Sequence, residues 1–201
     1  MIPAKLLDDA RIFSSREALL RYVGFMITGR PRLVAEIGVA YGGFSAAIIV
    51  TLKPDQFHAF DTFDLHEQDC VFGSHPSTVL GDRTHREYYE EHFPPSKGLV
   101  GNFIWEGRSQ DLLQGPAKHS FDFVYVDGGH SYDDVKSDIE QLKRVIKPGG
   151  IIMFDDYCTY DTIARQDFGV LAAVNEYIAE GHEVLGISLH PEGFHNIAVR
   201  A

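Results

Sequence analysis

The sequence has 201 residues, which is enough for one domain with a sizeable core and too few for two domains of typical size. Apolar residues make up 44% of it and charged residues 23%, as is usual for a globular domain in water. The formal net charge of −11 argues against a nucleic-acid partner bound through its phosphates and against an anionic membrane surface.

The cysteines and the start of the chain bear on location. Cys70 and Cys158 are far apart and form no C-x-x-C pair, which is typical of free thiols in a reducing compartment. The first residues carry Asp8 and Asp9 where a signal peptide would have an apolar run, and no stretch is long enough to span a bilayer. The sequence therefore predicts a cytoplasmic protein.

The chain begins with a helical pattern and then alternates predicted strands with predicted helices. Residues 1–30 are expected to form one or two helices that begin near Ser14 or Ser15 and end near Pro31. Strands are predicted at 33–37, 56–60, 102–105, 121–126 and 151–154, with a closing pair at 183–187 and 196–200, and helices at 44–52, near 111–113, at 131–146 and at 169–180. Such alternation favours a mostly parallel sheet covered on both faces, with ligands beyond the carboxyl ends of its strands.

A glycine-spaced turn follows the strand predicted at 33–37. Residues 34–45 read VAEIGVAYGGFS, and this order of strand, tight turn and helix start is typical of a nucleotide cradle. Gly38 allows the turn, and Gly42 and Gly43 are expected to let a ligand approach the backbone. No Lys follows as in a phosphate loop, and Ala40 stands where a strict dinucleotide fingerprint has its second Gly. The alternative is a tight turn of an ordinary α/β protein.

Acidic residues stand at the ends of four predicted strands, and parallel strand ends share one rim of a sheet. Asp61 follows the glycine turn by about 20 residues, a spacing at which an acid binds a ribose diol, so an adenosine-type ligand is favoured. Asp127, Asp155 and Asp156 indicate a hard divalent cation such as Mg²⁺. The alternative is that Asp127 caps a turn and that one of the pair is merely exposed. The remaining acid of this set is Glu36, which ends the first predicted strand.

Two further positions are candidates at the same rim. His130 follows Asp127 by three residues, and its pKa near neutrality suits a base that takes a proton from a hydroxyl, although a hydrogen-bonding partner is an equal alternative. Arg108 and Ser109 follow a predicted strand where a nucleoside pocket would hold its adenine. A histidine-based zinc site is disfavoured because no tight ligand spacing occurs.

Residues 64–97 interrupt the alternation. A long insertion beyond a strand's carboxyl end is often a functional lid, while a variable surface loop is the alternative. A short helix is predicted within it at 83–92.

Five motifs together resemble the class I S-adenosylmethionine-dependent methyltransferases, and within them the macrocin-type sugar O-methyltransferases and their relatives. They are EIGVAYGG at 36–43, FD at 60–61, FVYVDGGH at 123–130, KPGG at 147–150 and FDD at 154–156. The resemblance implies a Rossmann-like methyltransferase fold, with a doubly wound, mostly parallel seven-stranded sheet whose last strand is antiparallel.

The resemblance also implies roles for individual residues. S-adenosylmethionine would lie over Gly38, with its ribose on Asp61 and its methionine amino end near Glu36, while Asp127, Asp155 and Asp156 would bind the metal. The predicted cofactor-binding residues are Glu36, Gly38, Ala40, Tyr41, Gly42, Ser45, Asp61, Thr62, Arg108, Ser109 and Asp127.

The predicted activity is transfer of a methyl group to a hydroxyl of a small sugar or natural-product acceptor, with Mg²⁺ bound and with Asp127 and His130 as the catalytic residues. A homodimer is expected from the resemblance only. A nicotinamide-dependent oxidoreductase is one alternative, which Ala40 and the Asp155–Asp156 pair disfavour. A cofactor-binding module without catalysis is another.

Overall fold

The fold was obtained as a computed structural model, which describes residues 2–94, 100–115, 118, 120–163 and 165–201. Strands and helices alternate along most of the chain. In chain order they are β1 Arg11–Phe13, α1 Arg16–Met26, β2 Leu33–Ile37, α2 Gly43–Leu52, β3 Gln56–Asp61, α3 Ser77–Leu80, α4 His85–His92, β4 Gly101–Glu106, α5 Ser109–Leu112, β5 Phe121–Val126, α6 Tyr132–Val145, β6 Ile146–Phe154, β7 Tyr160–Asp161, β8 Gln166–Asp167, α7 Val170–Ala179, β9 Glu183–Ser188 and β10 Asn196–Arg200.

Eight strands form the main sheet, in the order β1-β9-β10-β6-β5-β2-β3-β4. Strand β10 pairs antiparallel with both β6 and β9, and the other pairings are parallel. The predicted Rossmann-like arrangement, a mostly parallel sheet with an antiparallel last strand, is therefore confirmed. The strand order reverses between β2 and β5, and this is the kind of place where open α/β sheets bind ligands.

The predicted count of seven strands is wrong because β1 adds an eighth at the edge. Residues 11–13 pair with 186–188 of β9, whereas the sequence had favoured helix throughout 1–30. Three residues are too few to show strand alternation, and the side chain of Ile12 is 74% exposed, so no apolar pattern marks the strand. The helix in this region is α1, and it begins as predicted at Ser15, whose hydroxyl accepts a hydrogen bond from the N–H of Ala18.

Two apolar layers cover the sheet, one on each face. Alternate residues of each strand point to opposite faces, so Val34 packs toward α1 and α2 while Ala35 and Ile37 pack toward α6 and α7. The interior strand β5 is buried along its length apart from Asp122, whose carboxylate accepts the N–H groups of Arg32 and Leu33. Burial on both faces explains the nearly continuous apolar runs of the strands.

The structure moves the predicted boundary between α6 and β6. Ser131 caps α6 by accepting the N–H of Asp134, as its position predicts. The helix ends at Val145, however, and β6 begins at Ile146, five residues before the predicted strand start. Ile146 pairs with Phe121, so sheet pairing begins before the KPGG motif at 147–150 and not after it.

Two segments project beyond the rim formed by the carboxyl ends of the parallel strands. The insertion predicted at 64–97 contains α3 and α4, and α4 matches the short helix predicted at 83–92; its last predicted residues, 95–97, lie outside the described residues. The antiparallel hairpin of β7 and β8 follows β6 and was not predicted. Within the described residues, no helix combines the length and apolar character needed to cross a membrane.

Replacing Gly38 with Ala is expected to lower the free energy of unfolding by about 2 kcal/mol or more, because φ is +79° and the new Cβ would lie 1.9 Å from the carbonyl oxygen of Asp127. Urea unfolding measures the change.

The matched control is Gly43→Ala, where a Cβ meets no atom within 4 Å at the start of α2. That variant should be neutral or more stable by up to about 1 kcal/mol. Equal stabilities of the two variants would contradict the close approach of β2 and β5.

Candidate functional site

The glycine turn between β2 and α2 is held in shape by left-handed residues and by Asp61. Gly38, Ala40 and Gly42 have φ of +79°, +44° and +79°, and the N–H of Gly38 donates to the carbonyl of Phe60. Ala40 thus adopts the glycine-like conformation without being glycine, at a cost of about 1–2 kcal/mol. Strain of this kind persists only where neighbouring contacts hold it.

Asp61 at the end of β3 supplies several of those contacts. One carboxylate oxygen accepts the N–H of Val39 at 2.7 Å and of Ala40 at 3.4 Å, and the other accepts the N–H of Phe63 at 2.8 Å. A carboxylate has about four acceptor positions, so three of them already serve the protein backbone. Thr62 is exposed beside it. The structure therefore places Asp61 next to the cradle, as predicted, but also gives it a structural task.

The two glycines expected to expose the backbone behave differently. A Cβ at Gly42 would lie 2.3 Å from the Phe93 ring, so that ring, and not open space, covers this glycine in the structure. At Gly43 the surroundings are open. Space on the Cβ side therefore remains open at Gly43, whereas at Gly42 the insertion packs on that side; the approach of a ligand to either backbone stays a prediction.

Glu36 lies buried at the end of β2, and its carboxylate accepts a hydrogen bond from the hydroxyl of Ser45. Ser45 in turn accepts a hydrogen bond of 3.0 Å from the hydroxyl of Tyr89. Burial raises the pKa of Glu36 well above its usual range, and the nearby charge of Asp127 adds to the effect even though the bond from Ser45 opposes it. Glu36 and Ser45, each predicted as a cofactor-binding residue, are thus in direct contact, and Tyr89 was missed.

Tyr41 leaves the turn toward the insertion. Its ring makes edge contacts with Phe72, His85 and Tyr88, at centroid distances of 5.9, 6.5 and 6.1 Å. The sequence had placed Tyr41 in the cofactor site only through the motif, and the structure adds an aromatic cluster at the mouth of the cradle.

The loop predicted to lie beside an adenine carries Arg108 and Ser109. The hydroxyl of Ser109 donates to the carboxylate of Asp138 on α6 at 2.5 Å, and Arg108 lies 3.5 Å from Asp134. The Ser109 side chain is therefore engaged with α6, and its backbone N–H is the group left for a ligand. Burial raises the pKa of Asp138 to about 6, although the bond from Ser109 opposes this shift.

At the ends of β5 and β6, Asp127, His130 and Asp156 each place one donor atom within 4.8 Å of the others. The Nε2 atom of His130 lies 3.1 Å from Asp156 and 3.7 Å from Asp127. The imidazole stacks on Phe168 at 4.4 Å, which fixes the plane of the ring. The convergence predicted for Asp127 and Asp156 is present, and His130 joins them.

Asp155 differs from the prediction, because its carboxylate pairs with Arg16 at 3.3 Å instead of joining the trio. The guanidinium also contacts the Tyr125 hydroxyl at 3.5 Å and lies 4.5 Å from the Phe44 ring centroid. Side chains of successive strand residues point to opposite faces, so an adjacent Asp pair does not reach one point by default. Asp156 reaches the trio from a left-handed backbone with φ of +48°.

Crowding of acids at this rim affects the pKa values of Asp127, His130 and Asp156. Burial and the charge of Asp155 raise the pKa of Asp127 well above its usual range, and the same two causes raise the pKa of Asp156 to about 6. Burial alone would lower the pKa of His130, but the carboxylates of Asp127 and Asp156 outweigh it and raise the pKa. The rim is therefore a place where added positive charge is stabilised.

The sequence offered a signal for one of the site residues that it did not predict, His85. Thr84 and Glu87 form a capping box at the start of α4, and this T-x-x-E pattern was visible in the sequence and marks His85 as a first-turn residue. Arg16 and Asp138 carried none, because their partners lie 139 and 29 residues away along the chain.

Comparison with known proteins gives one family match. A family described as a methyltransferase domain matches residues 35–157, which is more than half of the chain. Among curated proteins, the uncharacterised protein R132 of Acanthamoeba polyphaga mimivirus is 34% identical over 62 residues, covering 31% of this chain and 26% of that protein.

Solved structures resemble the fold at low identity. Spermidine synthase from Thermotoga maritima superposes with a TM-score of 0.57 at 12% identity, covering 92% of this chain and 57% of the other. The N-methyltransferase NodS from Bradyrhizobium japonicum WM9, in complex with S-adenosyl-l-homocysteine, gives 0.57 at 13% identity, covering 92% and 84%. The chain thus spans about a quarter of the mimivirus protein and little more than half of the synthase.

Asp138→Asn is expected to stabilise the fold increasingly as pH rises from 5 to 8. The folded pKa of about 6 lies above the ordinary 3.8, so the stability that this group contributes is complete below pH 3.8 and is lost as pH rises through 6. The amide keeps an acceptor for Ser109 and carries no charge to bury, so the gain at pH 8 is at most about 3 kcal/mol.

Urea unfolding of both proteins at pH 5, 6, 7 and 8 measures the trend. Asp133→Asn, on the exposed face of the same helix, is the control and should show a difference that does not vary with pH. A constant difference for Asp138→Asn as well would mean that its carboxyl is not held in an apolar setting.

Proposed function

The chain belongs to the methyltransferase-domain family, and from this premise we propose that it is an S-adenosylmethionine-dependent O-methyltransferase acting on a hydroxyl of a small sugar or natural-product molecule. The observation that supports this most is the convergence, at one rim of the sheet, of the glycine cradle, Asp61 and the trio Asp127, His130 and Asp156. NodS, whose fold is similar, binds S-adenosyl-l-homocysteine. The family match favours methyl transfer over the nicotinamide alternative; the macrocin-type group stays a prediction.

In the proposed complex, the cofactor lies along the cradle with its ribose at Asp61. The carboxylate retains about one acceptor position after its three backbone bonds, which suits a single ribose hydroxyl. The adenine would lie beside the backbone N–H of Ser109. The methionine end would approach Glu36 and Asp127, since a ligand that carries ammonium and sulfonium charges is attracted to a rim rich in carboxylates.

The acceptor hydroxyl would lie at the trio, in line with the sulfonium methyl group. When bound at the cradle, S-adenosylmethionine would supply an activated methyl group, whose carbon–sulfur bond would break as the acceptor oxygen bonds to the carbon, with the electron pair leaving on S-adenosyl-l-homocysteine. The hydroxyl proton passes to Nε2 of His130, whose orientation is set by stacking on Phe168. Because the sulfonium is already activated, the protein mainly aligns donor and acceptor.

The donor atoms at this rim fit a divalent cation such as Mg²⁺. Asp127 and Asp156 would hold it, with His130 beside them, while Asp155 is paired with Arg16. When bound, such a cation lowers the pKa of a coordinated hydroxyl and so favours its attack.

The insertion is proposed to border the acceptor side of the site. Helix α4 is packed on the cradle, so any closure that excludes water would involve the part of the insertion before Arg83. Phe72, at the tip of that part, is 81% exposed.

His130→Asn is expected to lower turnover by about 100-fold or more at neutral pH, because the amide cannot take the proton. Release of S-adenosyl-l-homocysteine in a screen of polyhydroxylated acceptors measures turnover, and calorimetry should find the cofactor affinity changed by less than about threefold, since the side chain acts at the acceptor. The control is His182→Asn, which lies immediately before β9, away from the carboxyl ends of β5 and β6. A near-normal rate for His130→Asn would remove it as the base.

Asp156→Asn is expected to raise the Mg²⁺ concentration for half-maximal turnover by about tenfold or more, since it removes a carboxylate from the trio. The matched variant Asp155→Asn should change it less, because that carboxylate contacts Arg16. Titration of Mg²⁺ into EDTA-treated enzyme measures both. Equal activity in excess EDTA and in Mg²⁺ would contradict the metal part of the proposal and leave the cofactor part standing.

A further inference from the structure

Helix α4 of the insertion presents one face to the glycine cradle. His85, Tyr89 and the C-cap residue Phe93 are spaced four apart, which places them on the same side of the helix. Each of them contacts a different part of the cradle. The insertion is therefore attached to the cradle along the whole length of α4.

The first contact fixes the strained residue of the turn. Nε2 of His85 donates to the carbonyl oxygen of Ala40 at 2.5 Å, and the His85 side chain is fully buried. Its ring also packs on Phe63 at 4.9 Å. A buried hydrogen bond to the left-handed Ala40 opposes relaxation of the turn to an extended conformation.

The last contact covers the turn. The Phe93 ring stacks on Tyr89 at 4.7 Å and lies where a Cβ of Gly42 would be. Position 42 therefore requires glycine for two reasons. A side chain would collide with this ring, and the backbone adopts a left-handed φ of +79°.

The middle contact is made by Tyr89, and it reaches the carboxylate of Glu36 through Ser45. The hydroxyl of Tyr89 donates to Ser45, and the hydroxyl of Ser45 donates to Glu36, so the protons of this chain all point from the insertion toward β2. All three side chains are buried, with at most 1% of each residue exposed. In such surroundings a missing donor is not replaced by bulk water, so the Tyr89 hydroxyl determines which way Ser45 directs its proton.

We propose that α4 is a fixed brace of the cofactor cradle and that Tyr89, acting through Ser45, is the positioning residue that orients the Glu36 carboxylate toward the cationic amino acid end of the cofactor. This inference rests on the proposed function, since it assumes an S-adenosylmethionine-type ligand. It adds a role for the insertion that differs from covering the acceptor. Tyr89 itself touches neither the ligand nor the reacting atoms.

The test compares two ligands that differ at one end. S-adenosyl-l-homocysteine carries the amino acid end, and 5′-methylthioadenosine lacks it while keeping the adenosine and the sulfur. Tyr89→Phe is expected to weaken binding of S-adenosyl-l-homocysteine by about 5- to 10-fold, the usual effect of one lost hydrogen bond. Binding of 5′-methylthioadenosine should change by less than about twofold, because its contacts do not include Glu36.

Calorimetry on the full chain gives both affinities. Tyr88→Phe is the matched control, since it removes a hydroxyl one residue away for which the described residues show no hydrogen bond, and it should bind both ligands normally. Ser45→Ala interrupts the same series of hydrogen bonds at its α2 residue. It replaces Tyr89→Phe in the test if that variant does not fold. In the double variant the loss should equal that of Ser45→Ala alone, because both changes break one chain.

The outcomes separate the two proposals. If Tyr89→Phe weakens both ligands equally, or neither, the positioning role is overturned while the proposed function stands. Additive losses in the double variant would overturn it too. If the unaltered protein binds neither ligand, the proposed function fails first and this inference falls with it.

Discussion

The contact between Gly38 and the backbone of Asp127 is the constraint on which the site depends. Strands β2 and β5 are neighbours at the point where the strand order reverses, and the carbonyl of Asp127 occupies the space in which any other residue at position 38 would hold its Cβ. The N–H of Asp127 donates to Ile37, and the N–H of Gly38 donates to Phe60. The ends of β2, β3 and β5 are thereby locked together, so the cradle and the acidic rim form one rigid unit.

Charge at that rim is balanced by groups from different parts of the chain. Carboxylates gathered at low exposure repel one another and favour protonation, which the raised pKa of Asp127 and of Asp156 reflects. Two basic side chains contact them: His130 lies beside Asp127 and Asp156, while Arg16 pairs with Asp155. Arg16 lies before the segment that matches the methyltransferase-domain family, so the N-terminal helix contributes to the electrostatics of the rim from outside that segment.

The insertion after β3 is joined to the cradle more firmly than a freely moving cover would be. His85 and Tyr89 are fully buried against the turn, and a capping box at Thr84 gives α4 a defined start. Such a helix can stabilise strained backbone in the absence of ligand, which reduces the ordering cost of binding. The strain at Ala40 is then maintained by contacts from Asp61 on one side and His85 on the other.

The sequence alone determined the class of fold, the positions of most helices and strands, and which acidic residues lie at the carboxyl ends of the parallel strands. Apolar runs, capping residues and the order of strand and helix are local signals, and parallel strands carry their ends to a common edge whatever lies between them. Asp61, Asp127, Asp156 and the cradle followed from that rule. The tertiary structure alone decided the strand at 11–13, the partner of Asp155, and the occupant of the space above Gly42. Each of these depends on side chains from distant segments meeting in three dimensions, and neither periodicity nor spacing along the chain records which of them will meet.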